Sequence, residues 1–299
     1  MIRFNKMMHP IFMKIQSLYD KCHSEERSDE GSALTIPERR FYALLRMTYY
    51  AFIEARPIQT IFLLVVVGNA CYAQDAKQII QKAEDAIKGK TSSHSIMEMT
   101  ITTSDYTRTM KMESWSIGNS KALIKTLAPA REAGNRTLKL DNEIWMYLRN
   151  TETTIRIPPS MMLQSWNGSD YTYDDMVREE KLAEDYAISI IGTEKIDNMD
   201  CWKLQLIPKP DAPVVWGKII YWVRREDNLP SQVEYFDEKG KSMRTMVMSD
   251  FKMMGGRKIP AIWTMFNSDR SHSTEIKTDE ISFDTRIPAS IFSLKELEK

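Results

Sequence analysis

From Ser95 onward, apolar and polar positions alternate with a period of two over segment after segment. In SIMEMTITTS, Met97, Met99 and Ile101 stand against Glu98 and the threonines; in TRTMKMESWSI, Met110 and Met112 stand against Lys111 and Glu113. KALIKTLAP and NRTLKL continue the pattern, and AISIIGTEKI, CWKLQLIPK, KIIYWVRRE and LPSQVEYF take it up again after residue 186. MRTMVMSDFKM, KIPAIWTMF and HSTEIKTDEISF complete it. Such alternation is the mark of strands with one face in a core. Asp237-Glu238-Lys239-Gly240 and Gly255-Gly256 read as hairpin turns. No segment between the strands is long and helical enough for a parallel crossover, which predicts one highly curved antiparallel sheet. A period of 3.6 appears in Gln74–Lys90, where Ile79, Ile80, Ala83, Ala86 and Ile87 form one stripe and Gly89 marks the end.

The stretch Asp141–Met176 departs from simple alternation. In DNEIWMYLRN, Ile144, Met146 and Leu148 share one face and Trp145 and Tyr147 the other, so the strand should be covered on both sides. After the strand TETTIRIPP, Pro158-Pro159 forbids a further ladder. A cluster of Met161, Met162, Leu163 and Trp166 follows, and Ser169 is placed to cap a short helix carrying Tyr171, Tyr173 and Met176 over it. The whole reads as an aromatic wall with a Met-rich lid. EEKLAED is a charged connector to the second run of strands.

The N-terminal quarter follows other rules. Residues 1–55 are polar, charged and aperiodic, which predicts a disordered or non-native extension, with Met47 the better initiator. Residues 56–73 read as a signal peptide: Arg56, the apolar run Ile61–Val67, then small residues before a cleavage expected after Ala73. That run is too short to span a bilayer. Cys71 offers a rival reading as a lipidated anchor, against which Gly68 is a poor lipobox residue. Residues 74–299 then form one exported domain, expected in the periplasm as a monomer.

Charge excludes more than it assigns. Forty-one basic and forty-one acidic residues cancel, so no global field argues for nucleic acid or an anionic membrane. Past residue 73 only Cys201, His94 and His272 remain of their types, too few for a disulfide framework or a metal site, and no cofactor is expected. Asp170, Asp174 and Asp175 are the compact carboxylate group, but neighbours at a helix start cannot easily straddle a substrate, and capping explains them. No nucleophile elbow, phosphate loop or Cys-x-x-Cys appears, so the protein is not expected to be an enzyme.

All seven tryptophans and fifteen of the twenty methionines lie beyond residue 73. Rings and thioethers suit an apolar, adaptable binding surface. The candidate cavity and lid residues are Trp115, Trp145, Tyr147, Met161, Met162, Leu163, Trp166, Tyr171, Tyr173, Met176, Trp202, Trp222 and Trp263. Arg131, Arg149 and Arg156 are candidates for a polar mouth that meets an anionic head. Trp216-Gly217, after a run of prolines, reads as a loop tip with an exposed ring.

WMYL, the basic strand ending in Pro, and WNGSDYTYDDM together resemble the core motif of the LolA-like outer membrane lipoprotein-sorting family. There a Trp-x-Tyr-Leu-Pro strand precedes an Arg-rich strand and a Phe-x-Gly-Ser-Asp segment. Here Arg149 replaces the Pro and Trp166 the Phe. The resemblance runs from about Gln74 to the C-terminus and takes in LPSQVEYFDEKGK, GGRKIPAIW and IPASIFSLKELE. It implies a mainly β (α+β) LolA/LolB-like fold: a half-open antiparallel β-barrel with helices covering the opening. It also implies non-catalytic carriage of a lipid, or of lipoprotein acyl chains, toward the outer membrane, between an inner-membrane transporter and an outer-membrane acceptor. A sensor or partner protein in an envelope transport or stress-signalling system is the alternative.

Overall fold

The computed structural model describes residues 76–178, 182–212 and 214–299. The extension, the signal peptide with its cleavage site, and Cys71 lie outside the described residues.

A helix over residues 76–87 (α1) comes first. Of the expected stripe, Ile80 and Ala83 are fully buried and Ile79 packs beside them, but Ala86 and Ile87 are only half-buried; Ala76 joins the buried face, and so does Glu84, expected on the polar side. Gly89 ends it for a steric reason, since a Cβ there would sit 2.0 Å from the Ser92 carbonyl oxygen. Only glycine lets the chain turn this tightly into the sheet.

Thirteen strands follow: β1 Ser92–Thr102, β2 Thr107–Ile117, β3 Lys121–Ala128, β4 Arg136–Leu140, β5 Glu143–Leu148 and β6 Thr153–Arg156 in the first half. The second half holds β7 Tyr186–Ile196, β8 Met199–Pro208, β9 Lys218–Arg224, β10 Pro230–Phe236, β11 Ser242–Met254, β12 Arg257–Asn267 and β13 Ser273–Phe283. They form one antiparallel sheet in the order β6-β5-β4-β3-β2-β1-β13-β12-β11-β10-β9-β8-β7. The first strand therefore pairs with the last, and the two free edges, β6 and β7, are consecutive in sequence. The chain between them crosses the gap as irregular turns, α2 (Tyr173–Arg178) and α3 (Leu182–Asp185). Asp237–Gly240 and Gly255-Gly256 make the hairpin turns where the sequence puts them, with Gly240 and Gly256 at φ 79° and 83°.

Each face of the sheet has its own core. The inner one joins α1 to Met99, Ile101, Met110, Met112, Ile144, Leu204, Leu206, Val223, Val233, Met246 and Met265, with Trp166, Tyr171 and Tyr173 over the gap. On the outer face, Leu123, Leu138 and Tyr147 are covered by Phe292 and Leu297 of the C-terminal segment, which ends in α4 (Leu294–Leu297). A smaller outer cluster gathers Cys201, Ile220 and Trp222. No helix among the described residues is long and apolar enough to cross a membrane.

Candidate functional site

Between the inner sheet face, α1 and the crossing segment lies a cavity of about 300 Å³. Its floor is Met97, Ile276 and Thr278 on one side and Ile219, Tyr221, Val233, Tyr235, Met246 and Trp263 on the other. Tyr171, Asp174, Asp175 and Leu182 lie over it, Glu84 and Ile87 of α1 and Lys88 just after it line another side, and Val214, Val215 and Trp216 line the remaining one. The lining is predominantly apolar, with the carboxylates of Glu84, Asp174 and Asp175 among it. Volume and lining place it at the lower end of small-ligand pockets.

The cover is fastened to the sheet from several strands. The Trp166 indole donates to Thr137 Oγ1 of β4 at 3.1 Å. Arg108 of β2 donates to the Asn167 carbonyl oxygen, whose residue sits in the left-handed region at φ 52°. Asp170 and Thr274 of β13 exchange two hydrogen bonds, backbone N–H to Thr274 Oγ1 at 2.9 Å and Thr274 hydroxyl to Asp170 Oδ2 at 2.7 Å. α2 starts with a reciprocal cap: Thr172 N–H donates to Asp175 Oδ2 (2.7 Å) and Asp175 N–H to Thr172 Oγ1 (3.2 Å). Arg244 of β11 reaches the same carboxylate with both terminal nitrogens, at 2.8 Å to Oδ2 and in a closer bond to Oδ1. Arg244 is buried and faces two rings, with Trp216 and Tyr235 each 4.5 Å from its guanidinium carbon. Burial pushes the Tyr173 hydroxyl above its ordinary range and leaves it neutral, in contact with the Met146 sulfur.

These contacts explain the carboxylate group. Asp170 serves Thr274 and Asp175 serves Arg244 and the α2 cap, while Asp174 lines the cavity. Among the described residues no three His, Cys, Asp or Glu side chains converge as metal ligands would.

Of the residues singled out from the sequence, Tyr171 and Trp263 line the cavity. Met161, Met162, Trp166, Tyr173, Met176 and Trp202 pack into the inner core around it without forming its wall. Others are corrected. Trp115, Trp145 and Tyr147 lie on the outer face under the C-terminal segment, and Trp222 lies on the outer face beside Cys201. The aromatic side of β5 points out, and it is the Ile144 and Met146 side that points in. Leu163 is 58% exposed, because the turn after Pro159 throws it out of the cluster. Arg131 and Arg149 are exposed on the β3–β4 and β5–β6 connections, and Arg156 is exposed on β6, paired with Glu143 over the Trp145 ring. None of the three arginines lines the cavity, whose charged lining residues are Glu84, Lys88, Asp174 and Asp175. The helix cap is Thr172 and not Ser169, whose hydroxyl donates to the Trp166 carbonyl oxygen at 2.6 Å. Trp216 is half-buried against Tyr235, ring centroids 5.2 Å apart, where an exposed tip was expected.

A family model described as "-like: Uncharacterized protein" matches residues 118–299, more than half of the chain. The chain belongs to that family. Its fold is that of the LolA-like proteins. A domain from Vibrio parahaemolyticus, provisionally assigned to outer membrane lipoprotein sorting, is 23% identical and superimposes with a TM-score of 0.68, covering 76% of this chain and 100% of that one. A DUF1329 family protein from Desulfovibrio piger is 19% identical, with a TM-score of 0.70 over 76% of this chain and 99% of that one. A LolA superfamily protein from Nitrosomonas europaea is 19% identical, with a TM-score of 0.62 over 74% and 98%. No curated protein matches the chain.

Proposed function

We propose that the protein is a non-catalytic periplasmic carrier that holds an acyl chain, of a lipid or of a lipoprotein, in the inner cavity. The observation that carries this reading is the apolar pocket itself: a space of about 300 Å³ between the inner sheet face, α1 and the crossing segment, lined mostly by apolar side chains. Interiors close-pack, so an unfilled apolar space forgoes contacts that a guest of matching chemistry restores. Each CH₂ transferred from water into it is worth about 0.8 kcal/mol, so ten methylenes supply roughly 8 kcal/mol before ordering costs. The sorting role assigned to the Vibrio relative supports the same class of cargo. A cavity of this size suits one chain as it stands; a diacyl anchor requires the walls to part.

Native mass spectrometry tests this on the full chain, exported in a Gram-negative host and purified from the periplasm without detergent. A co-purifying lipid or acylated peptide is expected, and Ile276→Trp, which fills the floor of the cavity, should reduce its occupancy at least tenfold with the fold intact by circular dichroism. An apo mass that does not shift on adding phospholipid or lipopeptide would move the assignment to a partner-binding protein without cargo.

A further inference from the structure

We propose that residues 214–217 are the access gate of the cavity, with Trp216 as its moving leaf and the Arg244 guanidinium as the surface it rests on; the proposal rests on reading the cavity as a cargo site. The argument is a comparison of walls. The floor consists of strands paired with their neighbours along β9 to β13. The α1 wall is set in the core by Ala76, Ile80 and Ala83, all at 0% exposure. The crossing segment is hydrogen-bonded to β2, β4, β11 and β13 through Arg108, Thr137, Arg244 and Thr274.

Residues 214–217 are held differently. Among the described residues, the backbone bond they make outside the strands is local, Val214 N–H to the Ala212 carbonyl oxygen at 2.8 Å. Trp216 is held by ring contacts, on Tyr235 and over the Arg244 guanidinium. Such contacts are lost and regained by a rotamer change without stranding a hydrogen-bonding group. The downstream end is a fixed pivot: a Cβ on Gly217 would lie 2.6 Å from Glu238 Cα and 2.7 Å from the Asp237 carbonyl oxygen, so the backbone is seated on the β10–β11 turn. Because Arg244 grips Asp175 with two bonds while merely facing Trp216, the leaf can swing while α2 stays in place. The same guanidinium sets how firmly the leaf rests.

The test reads cavity access without needing cargo. Val233→Cys places a thiol in the cavity wall at a position 1% exposed, and its alkylation rate is followed in the full chain by peptide mass spectrometry, which separates position 233 from Cys22, Cys71 and the buried Cys201. Adding Trp216→Ala should raise that rate at least tenfold. Gly217→Ala should also raise it, Trp216→Phe should return it toward the parent value, and Met162→Ala should leave it within twofold. No acceleration by the first two variants, or an equal acceleration by Met162→Ala, would overturn the gate. If Trp216→Ala fails to fold by circular dichroism, Gly217→Ala and Trp216→Phe decide. Release of a bound fluorescent fatty acid is measured on the same set. Acyl binding whose exchange ignores the Trp216 variants sinks the gate and leaves the carrier standing. Labelling that tracks Trp216 in a protein that takes no lipid does the reverse.

Discussion

Where β13 runs out, Asp284 takes a left-handed backbone conformation (φ 57°) and uses its carboxylate to tie the residue before β1 and the first residue of β12, the two neighbouring strands, to the end of β13. The Thr91 N–H donates to Oδ1 at 2.8 Å, the Thr91 hydroxyl at 3.2 Å, and Arg257 to Oδ2 at 3.2 Å. The Thr91 backbone bond chiefly, with the Thr91 hydroxyl and Arg257 charge behind it, holds this carboxyl below the usual range for aspartate. A lowered folded-state pKa means stability that is present above the unfolded value, near 3.9, and lost as pH falls through the folded one. Urea unfolding of the wild type and Asp284→Asn should therefore differ at pH 7 and converge once the medium falls below the folded-state pKa. A difference that persists unchanged at pH 2 would show that the carboxylate charge is not what matters. Arg149 makes a second point at this scale. It stands where the family motif has proline, and its backbone N–H donates to Asn135 Oδ1 at 3.0 Å, a bond that proline cannot make.

At the scale of elements, α2 is six residues long and owes its start to the Thr172–Asp175 exchange and not to propensity. Thr172→Ala removes one half of that exchange and should cost about 1 kcal/mol in chemical denaturation, with the sheet unchanged. A loss near zero would mean that the Asp175–Arg244 pair alone sets the helix start. The sequence shows a capping residue before Met176 but not which one, since Ser169 and Thr172 both stand in reach of a helix and only the tertiary partner of Asp175 discriminates. The strands were legible almost throughout, because burial on one face writes a period of two into the residues. What that period cannot say is which face is inside. Trp145 and Tyr147 share a face by alternation alone, but whether that face lines the cavity is decided by Phe292 and Leu297, about 150 residues away. Trp216 sat beyond reach for another reason: among prolines there is no periodicity to place its ring, and Arg244, which receives it, lies on a strand two further along.

At the scale of the molecule, the connectivity puts opposite demands on the two faces of one sheet. Pairing β1 with β13 leaves β6 and β7 as the open edges, so the inner face is closed by whatever connects those two strands. The outer face of β2–β5 has no such connection, and its Leu123, Leu138, Trp145 and Tyr147 would form an exposed apolar patch without the last dozen residues. Phe292, 6% exposed, is the wedge there, and the Ser293 hydroxyl caps α4 behind it by accepting from Glu296 N–H at 3.2 Å. Arg136 of β4 donates to the carbonyl oxygens of Glu296 and Leu297 and so orients the segment on the strand. Phe292→Ala should accordingly cost about 3–5 kcal/mol of unfolding free energy. Uncovering the patch should also promote self-association, measurable by light scattering. Filling of the inner cavity should be untouched, because the two cores share strands but no side chains. If Phe292→Ala instead abolished acyl binding while keeping its stability, the outer core would be part of the cargo site, and the division of labour between the faces would be wrong.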